Sequence, residues 1–160
     1  MTCVDTSGEL VEVFQRHLKP GHRAKVLCQD IFKMEGQFDY VTGFFVLHHF
    51  KDHGPLFDRI KKLLKPGAKI GFIEPNPWNP LYYIAPLFYP GITFSGEYYW
   101  MNTKGRLNKV LSETGFSGIE VKKFGFLPPQ ILNLPGGPSL DKITGWGIPH
   151  LCHWITAQKP

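Results

Sequence analysis

Phe38-Asp39-Tyr40-Val41-Thr42-Gly43-Phe44-Phe45-Val46-Leu47 is the stretch whose reading decides the fold. It is strongly apolar, and its apolar residues do not alternate with polar ones. A strand covered on one face alternates with period two. A strand buried on both faces, as in a parallel sheet, does not. Residues 38–47 therefore read as a strand covered on both sides.

The flanks agree. From His53 to Lys65, the residues Leu56, Phe57, Ile60, Leu63 and Leu64 fall on one helical stripe, and Pro66-Gly67 ends the helix. Lys69 to Ile73 is the next strand. Upstream, Ala24 to Cys28 is a short apolar strand closed by Gln29-Asp30, and Thr2 to Asp5 is the tail of another. Between them, Leu10, Phe14 and Leu18 recur at spacing four. Thr6 is placed to cap that helix, with Glu9 completing a capping box.

Downstream, Pro75 to Trp100 holds nine aromatic residues together with Pro75, Pro77, Pro80, Pro86 and Pro90. Asn102-Thr103 then caps a helix carrying Leu107, Val110 and Leu111, which ends at Gly115. Gly118 to Phe126 and Pro149 to Gln158 are further strands. The Pro- and Gly-rich stretch Leu127 to Gly147 between them has room for a short helix near Leu140 to Thr144. Alternating strands and helices predict an α/β layered fold with a mostly parallel sheet. The expected organisation is one domain over residues 1–160, with an aromatic-rich insert at about 75–102.

The composition sets outer bounds. A chain of 160 residues, 42% apolar and 19% charged, suits one domain with a sizeable core. No run of about 18 apolar residues is present, so no spanning helix is expected, and Met1 to Asp5 does not read as a signal peptide. Cys3, Cys28 and Cys152 are odd in number and far apart, which fits a reduced, cytoplasmic protein. The net charge of +5, with only Lys61-Lys62 and Lys122-Lys123 as basic pairs, points to no nucleic-acid partner.

Ligands of open α/β sheets bind at the carboxyl ends of the strands. That rule directs attention to Asp5, Gln29-Asp30, Leu47-His48-His49 and Glu74. A carboxylate at Asp5 can accept two hydrogen bonds from a ribose diol, or it can be an ordinary turn aspartate. Asp30 can meet an adenine amino group, or sit solvated in a loop. His48 or His49 at a strand end can serve as a general base, or pack over a ligand without chemistry. Glu74 is a second base candidate. Glu97 and the tyrosines at 82, 83, 89, 98 and 99 can line an acceptor pocket.

In combination these segments resemble one family. Val4-Asp5-Thr6-Ser7-Gly8-Glu9-Leu10 resembles the second strand and following helix of class I S-adenosylmethionine-dependent methyltransferases. Cys28-Gln29-Asp30-Ile31 resembles the acidic loop after their third strand. Phe38-Asp39-Tyr40-Val41, running into Val46-Leu47-His48-His49-Phe50, resembles the fourth. Leu63-Leu64-Lys65-Pro66-Gly67-Ala68-Lys69 resembles the turn that opens the fifth. Thr103 to Phe116 and His153 to Lys159 are similar to the last helix and the closing strand.

The resemblance implies a Rossmann-like sheet with flanking helices and a site for S-adenosylmethionine. Asp5 would bind the ribose hydroxyls with Thr6 beside it. Asp30 would meet the adenine amino group with Ile31 flanking the ring. Phe45, Val46 and Leu47 would lie along the methionine portion, with His48, His49 and Glu74 as the catalytic candidates. The acceptor would be small or lipid-like, with the aromatic insert as its cover, or else as an extra hydrophobic layer or a surface that docks on a membrane or a protein partner. Glu74-Pro75-Asn76-Pro77-Trp78-Asn79-Pro80 resembles a segment of small-molecule methyltransferases.

One element departs from the family pattern. The Gly-rich loop between the family's first strand and first helix is missing, because only four residues precede Asp5. The expectation is a truncated methyltransferase or part of a longer one. Without the first strand its two neighbours would be left with open edges. A non-catalytic binding or interaction module is the competing class. A nicotinamide-dependent Rossmann enzyme fits less well, since no G-x-G-x-x-G is present. His49-x-x-x-His53 and His150-x-Cys152-His153 lack the paired spacing of a structural zinc site, so no metal is expected.

Overall fold

The computed structural model describes residues 1–19, 21–80, 83, 98, 100–125, 135–136 and 150–160. The expected short helix near Leu140 to Thr144 and most of the aromatic insert lie outside them. The chain forms two compact units, Met1–Gln37 and Phe38–Pro160.

The first unit is a β-α-β element. Strands β1 (Thr2–Asp5) and β2 (Lys25–Cys28) pair in parallel, with Asp5 opposite Cys28, and helix α1 (Gly8–His17) connects them. The helix is capped by Ser7, whose Oγ accepts the Leu10 N–H at 3.3 Å, and not by Thr6 as expected. The shift has a local cause. Asp5 Oδ1 takes the Ser7 N–H at 2.7 Å, and this turn carries the chain one residue further before the helix begins. The spacing-four residues are less covered than their periodicity implies: Leu10 is 57% and Phe14 41% exposed. They line an apolar groove of about 390 Å³ with Val4, Val11 and Val26.

The second unit is built on a four-stranded sheet of order β3-β4-β6-β5. Strand β3 (Phe38–Phe44) runs parallel to β4 (Leu64–Pro75). Strands β5 (Ser117–Phe124) and β6 (Cys152–Gln158) follow, and β6 lies antiparallel between β4 and β5. The architecture is the expected Rossmann-like α/β type, with the parallel pairs preceding an antiparallel C-terminal pair.

Helices α2 (His53–Leu63) and α3 (Lys104–Glu113) supply the other half of the core. The α2 stripe is buried as its periodicity requires: Leu56, Phe57, Ile60 and Leu63 are at most 3% exposed. Phe57 sits at the centre, edge-on to Phe72 and Phe116 with ring centroids 6.0 and 6.1 Å away. Ile70, Leu107, Leu111 and Ile155 complete the layer. The helix stops at Leu63 because Pro66 disfavours helical backbone in the residue before it. Strand β4 then starts at Leu64, five residues before the expected Lys69, because Leu64 already pairs with Phe38.

Strand β3 corrects the expectation of burial on both faces. It is the edge of its sheet, and Tyr40 and Phe44 are 49% and 64% exposed.

Candidate functional site

In the first unit, Asp5 and Asp30 lie at the carboxyl ends of neighbouring parallel strands. The Gln29 N–H donates to the Asp5 carbonyl at 2.9 Å and ties the two ends together. Asp5 is exposed and uses Oδ1 for the Ser7 N–H. Asp30 Oδ1 accepts the Phe32 N–H at 2.9 Å and so caps the short turn Ile31–Lys33. Thr6 and Ile31 each follow directly on a carboxylate. The four expected adenosine-side residues, Asp5, Thr6, Asp30 and Ile31, are therefore gathered at one edge of this unit.

In the second unit, the site is organised by one buried side chain. Glu74, at the end of β4, is 0% exposed. Its Oε1 accepts the backbone N–H groups of Val46 and Leu47, each at 2.7 Å. Its Oε2 accepts from His48 Nδ1 at 2.9 Å, from Asn102 Nδ2 at 3.2 Å and, at 3.4 Å, from the His48 N–H. A carboxylate buried this deeply needs donors on both oxygens, and here four of the five come from consecutive residues of one turn and the fifth from Asn102.

That turn begins with Phe45, the one non-glycine residue with positive φ (50°) among the described residues. The left-handed conformation costs an ordinary side chain about 1–2 kcal/mol. The surroundings impose it. The Phe45 N–H still continues the ladder to Ile73 O at 2.8 Å, and the next three N–H groups then turn inward onto Glu74. Gly43 permits the close approach beneath: a Cβ there would lie 2.6 Å from the Phe72 ring and 2.7 Å from Val46 Cγ1.

The sequence-predicted residues Phe45, Val46, Leu47, His48, His49 and Glu74 are thus brought together at the carboxyl ends of β3 and β4. The rings of His48 and His49 are 4.2 Å apart. The acceptor-only partner settles the His48 tautomer: Nδ1 carries the hydrogen, so the lone pair of the neutral ring is on Nε2. Glu74 is committed to five donors, a geometry suited to positioning His48 rather than to taking a proton itself.

Three residues in this network were not singled out from the sequence for this role. His53 is 1% exposed and donates from Nε2 to Leu47 O at 2.9 Å, pinning the turn to α2. Burial holds its pKa below the ordinary 6.5. Asn102 is buried and reaches Glu74, although beside Thr103 it reads as a helix cap. His153, opposite Glu74 on β6, donates from Nδ1 to Asn102 O at 3.0 Å. Its pKa is lowered chiefly by burial, with Lys123, Lys104 and His150 adding to the effect. The only hint in the sequence was their polarity within apolar surroundings. Among the described residues, no group of three or more His, Cys, Asp or Glu side chains is gathered as a metal site, and Cys3, Cys28 and Cys152 form no disulfide. No described helix is long and apolar enough to cross a membrane.

Comparison with known proteins bears on this arrangement. Residues 1–72 match the family model described as a methyltransferase domain. The chain is 27% identical over 144 residues to a demethylmenaquinone methyltransferase of Staphylococcus saprophyticus, covering 76% of this chain and 61% of that protein. A demethylmenaquinone methyltransferase from a Geobacillus strain is 28% identical over 148 residues, covering 77% and 62%. The chain thus spans about three-fifths of the length of these curated relatives. In fold it is similar to an S-adenosylmethionine-dependent methyltransferase from Mesorhizobium loti, with a TM-score of 0.64 at 20% identity, covering 99% of this chain and 79% of that one. Over residues 1–72 the chain is thus similar in sequence to a methyltransferase domain, and in fold it is similar to S-adenosylmethionine-dependent methyltransferases.

Proposed function

We propose that this chain binds S-adenosylmethionine and contributes the binding and catalytic surface of a methyltransferase acting on a small, quinone-like acceptor. The observation that carries the reading is the pair of carboxylates, Asp5 and Asp30, at adjacent strand ends in the first unit. Asp5 is exposed, and among the described residues its Oδ2 has no hydrogen-bond partner, so it is available to the diol of a ribose. Asp30 and Ile31 offer a polar and an apolar flank for an adenine ring. The acceptor class rests on the two demethylmenaquinone methyltransferases that the chain resembles.

When bound, S-adenosylmethionine supplies a methyl group activated on a sulfonium sulfur. The chain's own part is to hold an acceptor in line and to manage its proton, and positioning of this kind supplies much of the rate in bimolecular transfer. His48 Nε2 takes the proton that the acceptor gives up. Glu74 holds the Nδ1–H and favours the imidazolium that forms. Phe45, Val46 and Leu47 form the turn that carries His48 in the second unit.

Calorimetric titration of the 160-residue chain with S-adenosylhomocysteine tests this reading. Binding that is weakened tenfold or more in Asp5→Ala, by roughly the 1.5–3 kcal/mol of a hydrogen bond to a charged group, is the expected result. Absence of heat with a folded wild-type chain would point instead to the non-catalytic module.

A further inference from the structure

We propose that the Trp78–Trp100 face of the second unit docks on the surface of an anionic lipid bilayer. Trp78 and Trp100 are 61% and 42% exposed, and their rings meet edge-on with centroids 5.0 Å apart. Among the described residues neither indole N–H has a hydrogen-bond partner. Tyr83, 47% exposed, joins the same segment through its hydroxyl, which donates to Pro77 O at 2.8 Å. Large rings with an apolar body and an unfilled polar edge are poorly served by water and well served by the headgroup layer of a membrane.

The charge around the rings selects the sign of the surface. From Pro75 to Val110 the sequence has one acidic residue, Glu97, against Lys104, Arg106 and Lys109. Lys104 and Arg106 are exposed at the start of α3, and the Arg106 guanidinium folds back onto Met101 Sδ at 3.0 Å, beside Trp100. Aromatic rings flanked by basic side chains are the combination that binds anionic lipid, each Lys or Arg adding to the attraction. The patch adjoins the candidate site: Asn102, two residues after Trp100, donates to Glu74. If the acceptor is a lipid-soluble quinone, as the proposed function has it, docking here brings its source to the rim of the site. The docking itself does not depend on that reading.

The test is sedimentation of the 160-residue chain with vesicles of phosphatidylcholine alone and of phosphatidylcholine mixed with phosphatidylglycerol. Co-sedimentation with the mixed vesicles and not with the neutral ones is expected. It should be lost in Trp78→Ser/Trp100→Ser and retained in Trp154→Ser, which removes an exposed tryptophan of strand β6. Lys104→Gln/Arg106→Gln should weaken it about twenty-fivefold, at roughly fivefold for each basic residue near an anionic surface. All the substituted side chains are exposed, and circular dichroism checks that each variant folds. No binding to either vesicle, equal binding to both, or undiminished binding by the tryptophan double variant would overturn the proposal. So would concentration-dependent self-association abolished by that same variant, which would make the face a protein interface. Titration of the same preparations with S-adenosylhomocysteine separates the two readings, because its failure removes the methyl donor and leaves the docking result standing.

Discussion

His48 and Glu74 are joined twice, ring to carboxylate at 2.9 Å and backbone N–H to the same oxygen at 3.4 Å. One buried carboxylate therefore fixes both the path of the turn and the tautomer of the ring that it carries. Glu74→Gln keeps the volume but points an amide N–H at groups that are themselves donors. The expected outcome is a loss of about 1–3 kcal/mol, the cost of leaving a buried donor unmatched, read from urea denaturation. In nitrogen-detected NMR the wild-type His48 ring should show hydrogen on Nδ1, and the variant a mixture of tautomers. A variant with wild-type stability and an unchanged tautomer would refute the positioning role.

Stability should fall as the pH drops below about 6.5. His53 and His153 are buried and have pKa values lowered from 6.5. Between that value and their lower folded values, the unfolded chain binds more protons than the folded one, so protonation favours unfolding. The contribution is complete above the unfolded pKa and is lost as pH falls toward the folded ones. The groups near His53 are Glu74 and Asp52, and those near His153 are Lys123, Lys104 and His150. Urea midpoints across this range should decline more steeply in the wild type than in His153→Gln. Equal slopes would show that His153 is not responsible.

Gly43→Ala should destabilise the second unit by about 1–3 kcal/mol through overpacking. The added methyl meets the Phe72 ring and Val46 Cγ1 at distances no real contact tolerates. Because Val46 is bonded to Glu74, His48 resonances should shift along with the loss of stability. A neutral substitution would mean that the turn relaxes freely.

Phe44→Lys should lower self-association while leaving the fold intact. Phe44 is 64% exposed on a strand whose outer edge is unpaired among the described residues, and a charged side chain is a common protection for such edges. Light scattering against concentration is the measurement, and equal scattering from both proteins would count against the edge as the cause.

Much of the fold was legible in the sequence because it rests on local rules. The α2 stripe is a 3.6-residue periodicity, and Leu56, Phe57, Ile60 and Leu63 are buried as that period demands. The polar residues at the strand ends of each unit were legible too, since a strand end is where open α/β sheets place ligands. The cap of α1 is Ser7 rather than the neighbouring Thr6, because the Asp5 carboxylate takes the Ser7 N–H and carries the chain one residue further, and only the backbone path decides between two adjacent hydroxyl residues.

By itself, the sequence determined the order of strands and helices and the placing of Asp5, Asp30, His48 and Glu74 at strand ends. Tertiary structure alone decided what Glu74 does. Its five donors come from Val46, Leu47, His48 and Asn102, which lie 26 to 28 residues away along the chain. No local periodicity encodes hydrogen bonds over such separations. Tertiary structure likewise decided that the apolar stretch 38–44 is an edge, since hydrophobicity sets a strand's need for cover but not which neighbours provide it. For both, the physical reason is the same: burial and hydrogen-bond satisfaction belong to the packed arrangement, whereas period and propensity belong to the chain.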